Sequence, residues 1–138
     1  ALRQTPTIVA PGETRAAEAG AILTVAVSGH AVITTLHAKS CLAAIQRFAD
    51  CAAMPGAYVY AGRRDNALED ACDNLDVVIH LEKLGGRRYV SGVALLDGVE
   101  RQAARPRPRL VSLVEVDLDA EGQLVWHCAA RAVGDALL

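Results

Sequence analysis

Ile8-Val9-Ala10-Pro11-Gly12-Glu13-Thr14-Arg15 and, a helix length downstream, Ser28-Gly29-His30-Ala31-Val32-Ile33-Thr34-Thr35-Leu36-His37-Ala38 decide the fold of this chain. Residues 7 to 11 are a short apolar run, which Pro11 and Gly12 end because proline donates no ladder hydrogen bond. Residues 15 to 28 are alanine-rich and free of proline, so they predict a helix, even though Gly20 costs it about 1 kcal/mol relative to alanine. Gly29 ends that helix, and the β-branched run from 31 to 36 predicts a second buried strand. Strand, helix and strand make a βαβ unit with parallel strands and a right-handed crossover. Ligands bind at the carboxyl ends of such strands, so Glu13 and His37 are expected to converge on one crevice from adjacent strands. An acid and a histidine placed in that way suit nucleotide hydrolysis.

The same stretch resembles the secretion and pilus motor ATPases, which drive type II and type IV secretion, conjugation, Tad-type pili and type IV pili. That superfamily carries a Walker B run ending in Gly-Glu-x-Arg, matched here by Gly12, Glu13 and Arg15. Its His box is matched by Gly29, His30, Thr35, Leu36, His37, Ala38 and Ser40. Glu18 falls where the family often has an acidic residue. The lead-in Leu2-Arg3-Gln4-Thr5-Pro6-Thr7 is similar to the family's Leu-Arg-x-Asp-Pro-Asp with both aspartates replaced by threonine.

The resemblance implies a partial RecA-like (P-loop NTPase) α/β sheet with flanking helices and a C-terminal antiparallel β-hairpin region. Residues 1 to 100 correspond to the C-terminal half of the motor domain, 101 to 109 to a Pro/Arg-rich loop, and 110 to 138 to a β-hairpin tail. It further implies a hexamer, ATP and Mg²⁺ as cofactors, a cytoplasmic location peripheral to the inner membrane, and secretion or pilus platform proteins as partners. No G-x-x-x-x-G-K-[ST] occurs in the sequence, and that loop is what holds the phosphates and supplies the Mg²⁺-binding hydroxyl in P-loop enzymes. The chain is therefore expected to be half of a motor domain, cut from a longer polypeptide or naturally truncated, and to bind no nucleotide tightly alone. The alternatives are a degenerate, non-hydrolysing assembly or regulatory module, and an unrelated small α/β binding domain.

Each candidate residue has a functional and a structural reading. Glu13 either orients the attacking water or is a carboxylate favoured by the helix dipole. His37 either senses the γ-phosphate or is a satisfied structural histidine. His30 divides evenly between site and structure, since seven residues of extended chain put it on the face opposite His37. Arg15 either contacts a neighbouring subunit or braces Glu13 or Glu18. His80 and His127 fall on strands without an acidic or nucleophilic neighbour in sequence and read as core or surface residues.

Composition sets the outer bounds. The chain has 138 residues, is 52% hydrophobic and 22% charged, and carries a net charge of −2, which excludes a disordered chain and offers nucleic acid no basic face. Arg105-Pro106-Arg107-Pro108-Arg109 reads as a solvated loop. The longest apolar stretch, within 16 to 28, is shorter than the ~20 residues a membrane span needs. Cys41, Cys51, Cys72 and Cys128 lack C-x-x-C spacing and read as buried free thiols, with no metal site. Ser40 is an N-cap for a helix of 41 to 53 whose apolar positions Cys41, Ala44, Ile45, Phe48 and Ala52 share one side. A short helix over 65 to 74, strands over 75 to 83, 87 to 96, 110 to 118 and 123 to 130, and turns at Leu84-Gly85-Gly86 and Asp119-Ala120-Glu121-Gly122 complete the expectation. The helix of 16 to 28 is apolar nearly all round and is expected to need cover on more than one side.

Overall fold

A computed structural model describes residues 6–101 and 105–129. The lead-in to Thr5, the centre of the Pro/Arg-rich stretch and the end of the tail beyond Ala129 lie outside these residues. The elements run β1 (Ile8–Val9), α1 (Glu18–Val27), β2 (Ala31–Val32), α2 (Cys41–Ala52), α3 (Arg64–Asn74), β3 (Val77–Leu84), β4 (Arg87–Glu100), β5 (Arg107–Leu118) and β6 (Leu124–Cys128).

β1 and β2 pair in parallel, Ile8 with Ala31 and Val9 with Val32, and α1 connects them, as the two apolar runs required. Both strands are shorter than expected. The ladder continues for one more bond, from Ile33 N–H to the Val9 carbonyl, and then Pro11 and Gly12 turn the first chain away. Residues 33 to 37 stay alternately exposed and half-buried, as extended chain should. α1 also begins later than expected, at Glu18. The turn ahead of it carries Ala19 N–H to the Ala16 carbonyl and Gly20 N–H to the Ala17 carbonyl. Its cover is one-sided: Ala19, Gly20, Ile22, Leu23 and Ala26 are buried, while Ala21, Thr24 and Val27 are exposed. Gly20 packs closely, since a Cβ there would lie 3.1 Å from Ala57 Cβ and 3.3 Å from the Ala52 carbonyl and would require those neighbours to give by a few tenths of an ångström.

Ser40 caps α2 as its type and position demand, with extended backbone and a side chain accepting from Ala43 N–H at 3.1 Å. The core lies among α1, α2 and α3, built on Leu23, Ile45, Phe48, Leu68 and their alanine neighbours, with Val78, Leu96 and Val99 of the second sheet packed against it. That sheet is antiparallel in the order β3-β4-β5-β6. Leu84 pairs with Arg87, and the two residues between them, Gly85 and Gly86, have φ of +54° and +85°, the left-handed pair that a tight hairpin of type I′ needs. β5 begins at Arg107, inside the stretch expected as a loop, and Pro108 is accommodated opposite Val99 next to a register shift. Bulges interrupt β3/β4 at His80/Leu81 and β4/β5 at Val93/Ala94.

Cross-strand partners share a face, so Val77 with Leu95 and Val111, Ile79 with Val93 and Val114, and Leu81 with Val90 line the side away from the helices. Val77, Ile79 and Leu81 are 48%, 60% and 60% exposed, which makes this an open apolar face. Among the cysteines, Cys51 and Cys72 are buried, and burial pushes their thiols up, Cys72 to about 11. Cys128 departs from the expectation: it is exposed, because β6 is the outermost strand of the sheet. Among the described residues no helix is long and apolar enough to cross a membrane.

Candidate functional site

Two short segments build the site, the turn 12 to 15 after β1 and the extended chain 34 to 38 after β2. Because β1 and β2 are parallel, both leave the sheet at the same edge. Three hydrogen bonds and one acid–imidazole contact join them. The Thr35 hydroxyl donates to the Gly12 carbonyl at 2.7 Å, and Thr14 N–H donates to the Thr35 carbonyl at 2.7 Å. The hydroxyls of Thr14 and Thr34 lie 2.7 Å apart. Glu13 Oε1 then meets His37 Nε2 at 3.3 Å. Thr34 and Thr35 point to opposite faces of the extended chain, and both reach back to the same turn. Thr14 is only 3% exposed, so its hydroxyl needs the partner it has.

The carboxylate is held from a second side by Arg15, whose guanidinium donates to Glu13 Oε2 at 2.5 Å. That bond, more than any other cause, holds the Glu13 carboxyl below the usual glutamate range, with Arg15 and His37 adding charge attraction. Within the chain Arg15 braces Glu13, and it stands in the turn ahead of α1 rather than within the helix. Glu18 caps that turn: its Oε1 accepts from Arg15 N–H at 2.6 Å and Ala16 N–H at 3.1 Å, which lowers its carboxyl too. Its carboxylate is therefore committed to backbone amides.

His30 is not drawn to Glu13. Its Nδ1 lies 3.0 Å from the Ser28 hydroxyl, in the turn where Gly29 adopts φ +83°. Gly12 contributes its carbonyl and an open position, since a Cβ there would meet nothing within 4 Å.

Sequence reasoning missed Thr14, Thr34 and His80. The first two carried a signal, a threonine directly after the acid and a doubled threonine in a strand, where one hydroxyl must face inward. His80 carried none, because its partners come from elsewhere in the chain. Its Nδ1 lies 2.7 Å from the Ser91 hydroxyl, its Nε2 lies 3.2 Å from the Ala38 carbonyl, and Glu82 Oε1 is 3.8 Å from Nδ1. His127 also acquires an acid, with Nε2 at 3.7 Å from Asp117 Oδ2 on the paired strand. His80 is the interior one of the two and His127 the exposed one; the acid near His80 stands two positions on along the same strand, while that of His127 comes from strand pairing.

A family model described as type II/IV secretion system protein matches residues 1–113. The chain belongs to the type II/IV secretion system protein family. Fifteen solved chains match it, among them the crystal structure of the VirB11 ATPase from the Brucella suis type IV secretion system in complex with sulphate. That match has a TM-score of 0.58 and 31% sequence identity over 67% of this chain and 29% of the other. The chain thus spans less than a third of the length of that secretion ATPase. No curated protein matches it. Membership in the secretion family accounts for the α/β architecture, with a partial parallel sheet, flanking helices and an antiparallel sheet at the C-terminal end.

Proposed function

We propose that this chain carries the Glu13/His37 side of the nucleotide site of a motor ATPase that powers secretion or pilus assembly. The observation that carries the reading is the 3.3 Å pair of Glu13 and His37 at the carboxyl edge of β1 and β2, braced by Arg15 and the three threonines. The complete motor is a hexamer working in the cytoplasm against inner-membrane platform proteins, with ATP and Mg²⁺ as cofactors.

The donor set fits one side of such a site. Glu13 is ionised at neutral pH and accepts hydrogen bonds only, so it orients a water without taking up its proton. His37, with a side chain 88% exposed, is open to a ligand and is a donor suited to a phosphate oxygen. Arg15 fixes which carboxylate oxygen remains for the water. ATP supplies the phosphoryl group whose transfer to water drives the motor. The amides that would cradle its phosphates belong to a loop of the form G-x-x-x-x-G-K-[ST], which this sequence does not contain. Hydrolysis therefore needs residues contributed from outside this sequence.

The test uses a polypeptide that joins this chain to its phosphate loop. Glu13→Gln is expected to bind ATP as the parent does while turnover falls by about 10³-fold or more, since the lost charge acts in the transition state. His37→Ala is expected to lower hydrolysis and uncouple it from transport. The 138-residue chain alone is expected to give no saturable heat of ATP binding in calorimetry. An unchanged rate in Glu13→Gln, or tight Mg²⁺-dependent binding by the chain alone, overturns the reading. No hydrolysis in the parent polypeptide favours instead a regulatory module that assembles with a true motor.

A further inference from the structure

His37 is exposed along most of its side chain, so nothing packs around the ring to aim it; its direction depends on how its backbone is anchored on either side. On the N-terminal side the anchor is Thr35, bonded to Gly12 and Thr14. On the C-terminal side the next residue is Ala38, and its carbonyl accepts from His80 Nε2 at 3.2 Å across 42 residues of sequence. A carbonyl only accepts, so Nε2 carries the hydrogen and, in the neutral ring, Nδ1 accepts from the Ser91 hydroxyl at 2.7 Å. The imidazole is 14% exposed and has a hydrogen-bond partner at each nitrogen, which fixes its orientation. Close by, the Cys41 thiol lies 3.7 Å from the Val78 carbonyl, and Ser40 caps α2. The segment from Ala38 to Cys41 is thereby moored to β3 at two points.

We propose that His80 is a positioning residue for His37: through the Ala38 carbonyl it ties the site's exposed histidine to the antiparallel sheet. The proposal rests on the role given above to His37. A shift of β3 relative to β2 moves the Ala38 carbonyl and, with it, the ring that faces Glu13.

Two measurements test it. In the 138-residue chain, His80→Leu is expected to move the imidazole ¹H–¹⁵N resonances of His37 while those of His30, which bonds Ser28 on the far side, stay in place. His80→Gln, whose side-chain amide can still donate to Ala38, is expected to restore them. In the longer hydrolysing polypeptide, His80→Leu is expected to lower kcat about tenfold with KM for ATP little changed, the size of effect that misplacing a reacting group produces. His80→Leu combined with His37→Ala is expected to be no slower than His37→Ala alone. Unmoved His37 resonances, a wild-type kcat in His80→Leu, or rate losses that multiply in the double variant each overturn the proposal. Should His80→Leu fail to fold, Ser91→Ala takes its place: it frees Nδ1, and unmoved His37 resonances in that variant count equally against the idea. If His37→Ala alone hydrolyses ATP at the parent rate, the role given to His37 fails, and the resonances still decide whether His80 positions it.

Discussion

At the scale of single residues, Glu13 is defined by its company. Arg15 is the largest cause of its lowered carboxyl pKa, so Arg15→Ala is expected to raise the Glu13 titration midpoint toward the ordinary value of about 4.3, read from the side-chain carboxyl carbon by NMR. Because the folded pKa is the lower one, the pair stabilises the fold above the ordinary glutamate value. That contribution disappears as the pH falls through the folded midpoint, and it vanishes in Arg15→Ala. An unmoved midpoint counts against the Arg15 brace. Thr14 is the opposite kind of residue, buried and neutral. Thr14→Val keeps its shape but leaves the Thr34 hydroxyl without its partner, and is expected to cost about 1–2 kcal/mol in denaturant unfolding at unchanged slope. Glu13 and His37 were legible because a glycine, an acid and a basic residue after one apolar run, and a histidine after the next, stand at the ends of strands that must be parallel neighbours. Thr14 and His80 were not, since their importance lies in partners 20 and 42 residues away.

Among the elements, helices were read most accurately and strand ends least. α2 matches its expected span almost to the residue because the Ser40 cap and the apolar stripe agree about where it starts and which side is buried. Ser40→Ala is expected to cost about 1 kcal/mol and to be visible as a lower urea midpoint. β1 and β2 are short, and their two-stranded sheet has no further strand beside it among the described residues. Pro11 then removes the next donor on β1. β5 starts earlier than expected because a proline is tolerated where the sheet register shifts. α1 was expected to need cover on several sides and has it on one, its outward positions being filled by Ala21, Thr24 and Val27, small enough to tolerate water.

For the whole molecule, the dominant feature is the sheet face that the three helices leave open. Val77, Ile79 and Leu81 show enough apolar surface there that the isolated chain is expected to bind an apolar dye such as ANS. Ile79→Lys with Leu81→Lys is expected to reduce that fluorescence with little change in unfolding midpoint, because both side chains are already in water. Equal dye binding in the double variant shows that the face is not the site. Phe48 sets the contrasting limit: at 1% exposure in the centre of the core, Phe48→Ala is expected to cost about 3–5 kcal/mol, enough to unfold much of the chain.

The amino-acid sequence alone determined the βαβ unit, the parallel pairing, the two antiparallel hairpins and the acid and histidine at one edge. Each of these follows from local periodicity, from turn chemistry at Gly85-Gly86 and Asp119-Gly122, or from the rule that parallel strands end together. Tertiary structure alone decided that Arg15 faces Glu13 while Glu18 turns to backbone amides, that His30 stays with Ser28, and that His80 reaches the loop behind His37. It also decided which face of β3 meets the helices: Val78 and His80 turn inward, and Val77, Ile79 and Leu81 turn out. Both alternating sets carry apolar residues, so periodicity marks the two faces without ranking them. Only the packing of α2 and α3 against one of them breaks that symmetry.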